Sequence, residues 1–305
     1  MSHQPTHGNY HGYYTKRAQI QNADPRLAHL PSAFFHGKRV LDVGCNEGWI
    51  TCEIAQSWRA AAVTGVDIDE ALISAAWKRR RNIWSLQRPD TSKDDADTQM
   101  GVQDEGPAAI YFPASCLHTH GPLPLPTRTD ATHAQFPHNV VFRAQDWMDA
   151  AVERYDVILA LSITKWIHLN RGDHGIRACF AKVAASLSAG GYFLLEAQSW
   201  EGYTKAKRMS ATLKANYQTL QLRPADFHDI LVGIGFERET SFDGEGHSSA
   251  DGVFFRFHSD KDVADAMVGM VCRVPEKVGC LSEEINRQAL LRLSGLGYVW
   301  VRPYS

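Results

Sequence analysis

Short apolar runs alternate with amphipathic stretches from about residue 40 to residue 258. The apolar runs predict strands at 40–43, 63–67, 139–143, 155–161, 192–196, 237–241 and 252–258. The stretches between them carry apolar side chains at helical spacing and predict helices at 48–58, 71–84, 174–187, 204–217 and 224–233. The run at 155–161 is almost continuously apolar, as expected of a central strand in a covered sheet. The pattern therefore predicts an α/β fold with a mostly parallel sheet and helices on both faces.

Three segments depart from this alternation. Residues 1–22 are polar and predict a flexible N-terminal segment. Residues 85–137 are rich in proline and in Asp, Gln and Gly, and predict a long, largely disordered surface insertion. Residues 259–305 are expected to form a C-terminal extension, with the alternative that they supply the last strand of the sheet. The main folded domain is therefore expected to span residues 23–258.

Composition narrows the class of protein. The chain has 305 residues, of which 44% are hydrophobic and 22% charged, as in a globular protein. Because the formal net charge is −2, an anionic partner has to be held by a local basic patch. Six cysteines without a C-x-x-C pair predict reduced thiols in a nuclear or cytosolic protein, with no disulfide framework and no metal site. No apolar run approaches the roughly 18 residues of a membrane span, so no membrane association is expected.

A glycine-bracketed turn follows the first predicted strand. Gly44 and Gly48 enclose this turn, and a predicted helix begins after it, which places backbone N–H groups beside a ligand. Asp67 ends the second predicted strand just over 20 residues later, where a βαβ nucleotide site keeps the carboxylate that binds ribose hydroxyls. A plain α/β turn and a dinucleotide dehydrogenase are the alternatives. The second is disfavoured because the full G-x-G-x-x-G pattern is missing.

Two further strand exits carry candidate chemistry, because ligands of open α/β sheets bind at the carboxyl ends of the strands. After the third predicted strand, Asp146 can accept a hydrogen bond from the exocyclic amine of an adenine, and Trp147 can pack nearby. The exit of the fourth, at residues 162–173, concentrates cationic, aromatic and amide side chains and favours an anion site. In the N-terminal segment, Tyr13 and Arg17 belong to an aromatic and basic cluster of the kind that stacks on bases and holds phosphates.

These motifs resemble the RNA methylphosphate capping enzymes, also called the Bicoid-interacting methyltransferase family. The resemblance runs from about residue 8 to residue 236, apart from the insertion. The most specific string is T-K-W-I-H-L-N-x-G-D at 164–173, and L-D-x-G-C-N-x-G at 41–48 and L-E-x-Q-x-W at 195–200 accompany it. The resemblance implies a class I S-adenosylmethionine (SAM) methyltransferase fold. It also implies methyl transfer from SAM to the terminal γ-phosphate at the 5′ end of small non-coding RNA.

The resemblance also assigns residues. SAM contacts are implied at Tyr14, Arg26, Gly44, Cys45, Asn46, Asp67, Ile68, Asp146, Trp147 and Leu161. Contacts with the 5′-phosphate are implied at Lys165, Tyr13, Arg17 and His168, with the N-terminal segment closing over the active site. The chain departs from the family pattern at Gln145-Asp146-Trp147, where the family often has Gly-Asn-Tyr, and at Ala197 and Ser199, where prolines are usual.

Two alternatives stay open at this point. A related branch of the family acts on 5′-monophosphate RNA, although Lys165 favours the triphosphate because a longer anion benefits from another cation. The other alternative is an RNA-binding assembly factor of a ribonucleoprotein, in which catalysis is secondary or lost. In either case we expect a monomer that binds 5′-phosphorylated RNA, with ribonucleoprotein proteins as further partners and with the nucleus favoured over the cytoplasm.

Overall fold

A computed structural model describes residues 24–28, 30–87, 112–129, 133–242 and 250–258. The chain divides into a unit that ends at His258 and a second unit at Ser259–Ser305. The predicted flexible segment at 1–22 and the predicted C-terminal extension both lie outside the described residues.

The sheet is mostly parallel, as the apolar pattern predicted. Its strands are β1 (Arg39–Val43), β2 (Ala62–Asp67), β3 (Val140–Ala144), β4 (Tyr155–Leu161), β5 (Leu187–Gln198), β6 (Phe236–Phe242) and β7 (Ala250–Phe257). The strand order is β3-β2-β1-β4-β5-β7-β6. The first five strands in this order run parallel, whereas β7 lies antiparallel between β5 and β6. The carboxyl ends of β1 to β5 therefore meet at one edge of the sheet.

Helices precede and connect the strands. They are α1 (Pro25–Ala28), α2 (Trp49–Ser57), α3 (Glu70–Leu86), α4 (Ala114–His120), α5 (Thr164–Ser186), α6 (Trp200–Ala206), α7 (Ala211–Thr219) and α8 (Phe227–Val232). Asp69 caps α3, because its carboxylate accepts hydrogen bonds from the backbone N–H groups of Ala71 and Leu72. The core lies between the helices and the sheet, and β4 is buried along nearly its whole length.

The predicted insertion at 85–137 is not structureless throughout. Helix α3 runs on to Leu86, and residues 112–129 include helix α4. The backbone N–H of Leu123 donates to the buried hydroxyl of Ser85 over 2.7 Å, which ties this segment to α3. Proline content and polarity therefore overstated the disorder, because the segment takes its order from contacts with α3 rather than from an apolar pattern of its own.

Helix α5 is the largest departure from the predicted elements. It begins at Thr164, so the residues predicted as an exit loop are helical, and Gly172 (φ 68°) interrupts the helix near the expected start at residue 174. Its buried residues Thr164, His168 and Leu169 have helical spacing. Because two of them are polar, the apolar pattern did not reveal this part of the helix. The helix predicted at 204–217 is likewise divided into α6 and α7, with Ser210 capping α7.

Candidate active site

An open cleft lies at the carboxyl ends of the parallel strands. Its walls include the turn after β1, the end of β2, the exit of β3 and the first turn of α5. Most of the predicted cofactor contacts line it: Gly44, Asn46, Asp67, Ile68, Asp146, Trp147 and Leu161. These residues come from separate parts of the chain, and the fold brings them together as the strand-exit argument predicted.

Gly44 makes room for the cleft wall. Its φ of 75° lies in the left-handed region, and its backbone N–H donates to the carbonyl of Val66 over 2.8 Å. A Cβ at this position would lie 2.8 Å from Cδ1 of Ile163, which also lines the cleft. The turn after β1 and the turn after β4 therefore touch at a position that only glycine fits.

Asp67 lies at the end of β2 beside this turn. Its carboxylate accepts hydrogen bonds from the backbone N–H groups of Asn46 over 2.9 Å and of Asp69 over 3.0 Å. Burial raises the pKa of Asp67, although these backbone hydrogen bonds oppose the shift. A carboxylate has about four lone-pair positions, so Asp67 can hold the turn and still accept from a ligand hydroxyl.

Asp42 supports the site from behind the cleft. It is fully buried, burial raises its pKa to about 6, and a hydrogen bond from the Thr51 hydroxyl over 2.6 Å opposes that shift. Asp42 does not line the cleft, so it anchors the end of β1 to α2 rather than binding the ligand.

Asp146 and Arg171 form an ion pair at the end of the cleft nearest β3. Arg171 donates to Asp146 over 2.7 Å and to Asp149 over 2.8 Å. Asp146 also accepts from the backbone N–H of Met148, and the Lys182 ammonium lies 5.1 Å from the centre of the buried Trp147 ring. Arg171 was not predicted as a cofactor contact, because pairing between residues so far apart in sequence is invisible before folding.

Two predicted cofactor contacts do not line the cleft. Arg26 is buried in a charge network, where it donates to Asp24 over 2.8 Å and to Glu196 over 2.7 Å. Cys45 is buried behind the turn, and burial raises the pKa of its thiol well above the ordinary value. Their side chains support the cleft wall, and Tyr14 lies outside the described residues.

Lys165 lies in the first turn of α5, between the cleft-lining residues Ile163 and Trp166, although it does not itself line the cleft. Its Nζ lies 4.6 Å from the centre of the Trp166 ring, and it borders Gly202 of α6. Burial lowers its pKa, and the charge of Lys205 adds to that shift. Within the part of the chain that the structure describes, no carboxylate pairs with Lys165, which makes this half-buried ammonium suited to an anionic ligand. Of the other three predicted phosphate contacts, Tyr13 and Arg17 lie outside the described residues.

His168 does not fit the predicted phosphate contact. Its side chain is 0% exposed, and its Nε2 lies 2.8 Å from Oδ1 of Asp173 while its Nδ1 lies 3.3 Å from the Tyr203 hydroxyl. Asp173 also accepts from the backbone N–H groups of Gln221 and Leu222. His168 therefore joins α5 to α6 and to the segment after α7. The sequence placed His168 among cationic, aromatic and amide residues, but it did not show that the imidazole ring is buried.

Comparisons with known proteins support the class that the fold indicates. Residues 40–123 match the family model described as Methyltransferase domain, and residues 155–257 match the one described as Bicoid-interacting protein 3 (Bin3). The sheet order, the glycine turn after β1 and the carboxylate after β2 define a class I methyltransferase.

Three relatives narrow the class to a family. A probable RNA methyltransferase of Arabidopsis thaliana is 34% identical over 238 residues, which cover 75% of this chain and 72% of that protein. The 7SK snRNA methylphosphate capping enzyme of Homo sapiens is 36% identical over 248 residues, 75% of this chain and 35% of that protein. An RNA 5′-monophosphate methyltransferase of Rattus norvegicus is 41% identical over 54 residues, 18% of each chain. The chain belongs to the Bicoid-interacting protein 3 (Bin3) family, as its motifs predicted.

The match to the first relatives is partial on their side. The chain spans only 37% and 35% of the mouse and human 7SK snRNA methylphosphate capping enzymes.

Across the described residues, no helix combines the length and the apolarity that crossing a membrane requires. The same residues contain no group of three or more His, Cys, Asp and Glu side chains placed to hold a metal ion.

Proposed function

We propose that this chain is a SAM-dependent O-methyltransferase that methylates the 5′-terminal γ-phosphate of a small non-coding RNA. The observation that carries the proposal is the position of Lys165, a half-buried ammonium with no carboxylate partner among the described residues, next to a nucleotide-type cleft. The names of the human and Arabidopsis relatives agree with RNA as the substrate class.

The cleft fits SAM in shape and in chemistry. Gly44 lets the turn after β1 approach Ile163 of the cleft wall more closely than a Cβ would allow, and Asp67 at the end of β2 suits the ribose hydroxyls. Ile68, Trp147 and Leu161 supply apolar walls, and Asp146 retains acceptor positions for an adenine amine. When bound, SAM supplies a sulfonium methyl group, so that a new O–CH₃ bond forms as the S–CH₃ bond breaks and its electron pair stays on sulfur.

The chain needs no general base for this reaction. A terminal phosphate has a second pKa near ~6, so its oxygen is already an anion at neutral pH. We infer that Lys165 binds an oxygen other than the attacking one, since a cation on the attacking oxygen would lower its reactivity. Tyr13 and Arg17 complete the phosphate contacts in this proposal, and the N-terminal segment excludes water as it closes. Holding the oxygen in line with the methyl group then provides most of the rate acceleration.

A second substrate is supported by one observation. The rat relative that matches 54 residues is named an RNA 5′-monophosphate methyltransferase, so methylation of a 5′-monophosphate is the competing activity.

A role as an RNA-binding assembly factor, with secondary or lost catalysis, is the non-enzymatic alternative. We also propose that the chain acts as a monomer, with the nucleus as its main site of action and ribonucleoprotein proteins as further partners.

The test is methyl transfer from labelled SAM to one short structured RNA prepared with a 5′-triphosphate, a 5′-monophosphate or a 5′-hydroxyl. The proposal expects label on the triphosphate RNA only. Label confined to the monophosphate RNA would transfer the proposal to the competing substrate. Absence of label from all three RNAs, with SAM and RNA both still bound, would overturn the enzymatic proposal in favour of the assembly role.

A further inference from the structure

The L-E-x-Q-x-W string at 195–200 has no part in the mechanism above. It covers the end of β5, where Glu196 and Gln198 are two residues apart and so leave the strand on the same face. Glu196 is the register partner of Leu161, the last residue of β4. The two polar side chains therefore lie beside the turn that leads from β4 into α5.

Glu196 binds this turn through both its backbone and its side chain. Its carboxylate is 2% exposed and accepts from the Ser162 hydroxyl over 2.5 Å and from Arg26 over 2.7 Å. Its backbone carbonyl accepts from the Ser162 N–H over 3.1 Å. Ser162 needs this support because its φ of 59° is left-handed, a conformation that persists in a non-glycine residue only when its surroundings enforce it.

Gln198 binds the next part of the same turn. Its side-chain amide donates to the Ser162 carbonyl, and its side-chain oxygen accepts from the Lys165 backbone N–H over 3.2 Å. The N–H groups in the first turn of a helix have no partner within the helix. The residue in the N-cap position of α5, Ile163, provides no side-chain hydrogen bond, so Gln198 supplies a cap from the neighbouring strand.

We propose that Glu196 and Gln198 are positioning residues, a bracket that fixes residues 162–165 for catalysis. Glu196 keeps Ser162 and the adjoining cleft wall in place, and Gln198 fixes the helix turn that carries Lys165. The role of Gln198 in transfer rests on the proposed function, whereas its effect on the backbone does not.

The separate contacts predict separate consequences. Loss of the Gln198 hydrogen bonds frees the first turn of α5 and lets the Lys165 ammonium move, and a displacement of about 1 Å costs on the order of 100-fold in rate. Glu196 still holds Ser162 through its carboxylate and its backbone carbonyl, so the cleft wall beside Gly44 stays in place, as does Asp67 on β2. Gln198→Met should therefore lower kcat for RNA methylation by about 10- to 100-fold and leave the affinity for S-adenosylhomocysteine within about threefold.

The experiment compares full-length wild type, Gln198→Met and the matched control Gln218→Met, a change at an exposed position of α7. Amide hydrogen exchange at Lys165 is read by NMR, kcat by RNA methylation, and cofactor affinity by calorimetry with S-adenosylhomocysteine. We expect exchange at Lys165 to rise about 5-fold in Gln198→Met only, because the amide loses its hydrogen-bond acceptor. Gln198→Glu keeps the acceptor for the Lys165 N–H and should restore its protection.

Unchanged exchange at Lys165 in Gln198→Met would overturn the bracket. Faster exchange at Lys165 together with a wild-type kcat in Gln198→Met would overturn the proposal that Gln198 supports methyl transfer by positioning Lys165. If Gln198→Met does not fold, Gln198→Glu decides the matter, because loss of Lys165 protection in that variant contradicts the assigned acceptor. Should wild type transfer no methyl group, the proposed function fails while the exchange result still tests the bracket.

Discussion

Gly44→Ala is expected to weaken cofactor binding strongly, whereas Gly37→Ala is not. Both glycines have a left-handed φ, 75° at Gly44 and 69° at Gly37. Each alanine therefore carries the same backbone cost, about 1–2 kcal/mol. Gly37→Ala is thus a matched control that changes stability through the backbone alone.

The two positions differ in the space around the added methyl group. At Gly37, apart from the glycine itself and its two chain neighbours, no heavy atom of the described residues lies within 4 Å of it. At Gly44 the methyl would lie 2.8 Å from Cδ1, 2.9 Å from Cγ1 and 3.1 Å from Cβ of Ile163. Because Cβ is among these atoms, rotating the end of the Ile163 side chain does not relieve the overlap, and the turn after β4 has to move. Overpacking of this kind costs about 1–3 kcal/mol, which corresponds to roughly 10- to 100-fold in affinity if the cleft absorbs it.

The assay is calorimetric titration of S-adenosylhomocysteine into wild type and both variants, with urea unfolding to measure the loss of stability. We expect both variants to lose stability and only Gly44→Ala to lose affinity. Wild-type affinity in Gly44→Ala, or an equal loss in Gly37→Ala, would refute the assignment of the turn after β1 to the cofactor.

Three further variants test the remaining parts of the account. Lys165→Ala should lower kcat for RNA methylation by about 100-fold and leave cofactor affinity nearly intact, because one preorganised cation is lost. Lys78→Ala, a change at an exposed lysine, is the control. A loss of cofactor affinity in Lys165→Ala as large as its loss of kcat would count against Lys165 as a phosphate contact. Asp67→Asn should raise the Kd for S-adenosylhomocysteine by roughly 10- to 100-fold through weaker ribose hydrogen bonds, and an unchanged titration would remove Asp67 from the site. Asp42→Asn should raise the free energy of unfolding at pH 7 by up to about 3 kcal/mol, since burial raises the pKa of Asp42 from 3.8 to about 6. Between pH 3.8 and about 6 the native state of wild type keeps the Asp42 proton, whereas the unfolded state releases it. The stability of wild type relative to Asp42→Asn therefore falls as pH rises from about 4 to 6. A stability difference between the two proteins that does not vary with pH would contradict the raised pKa of Asp42.

Local sequence signals predicted which strand-end residues the fold brings together in the cleft. Gly44 and Asp67 sit at strand ends where a parallel sheet brings them together, and an apolar run such as 155–161 marks a buried strand. These features depend on neighbours in sequence and on the general geometry of parallel sheets, so residue order suffices to find them.

Side-chain directions and long-range pairs could not be predicted in this way. The helical face of α5 is partly polar, so its start at Thr164 and the burial of His168 did not show in the apolar pattern. The Arg171–Asp146 ion pair and the Arg26–Glu196 ion pair join residues far apart in the chain, and only the folded sheet brings them into contact.

The most direct test of the central claim is the chemical position of the methyl group on the RNA. Wild type would be incubated with SAM and 5′-triphosphate RNA, the product digested with nuclease, and the 5′-terminal nucleotide analysed by tandem mass spectrometry. We expect one added CH₂ unit on the γ-phosphate, lost together with that phosphate on fragmentation. A methyl group on the base or on the ribose would contradict it, because Lys165 would then not hold the reacting group.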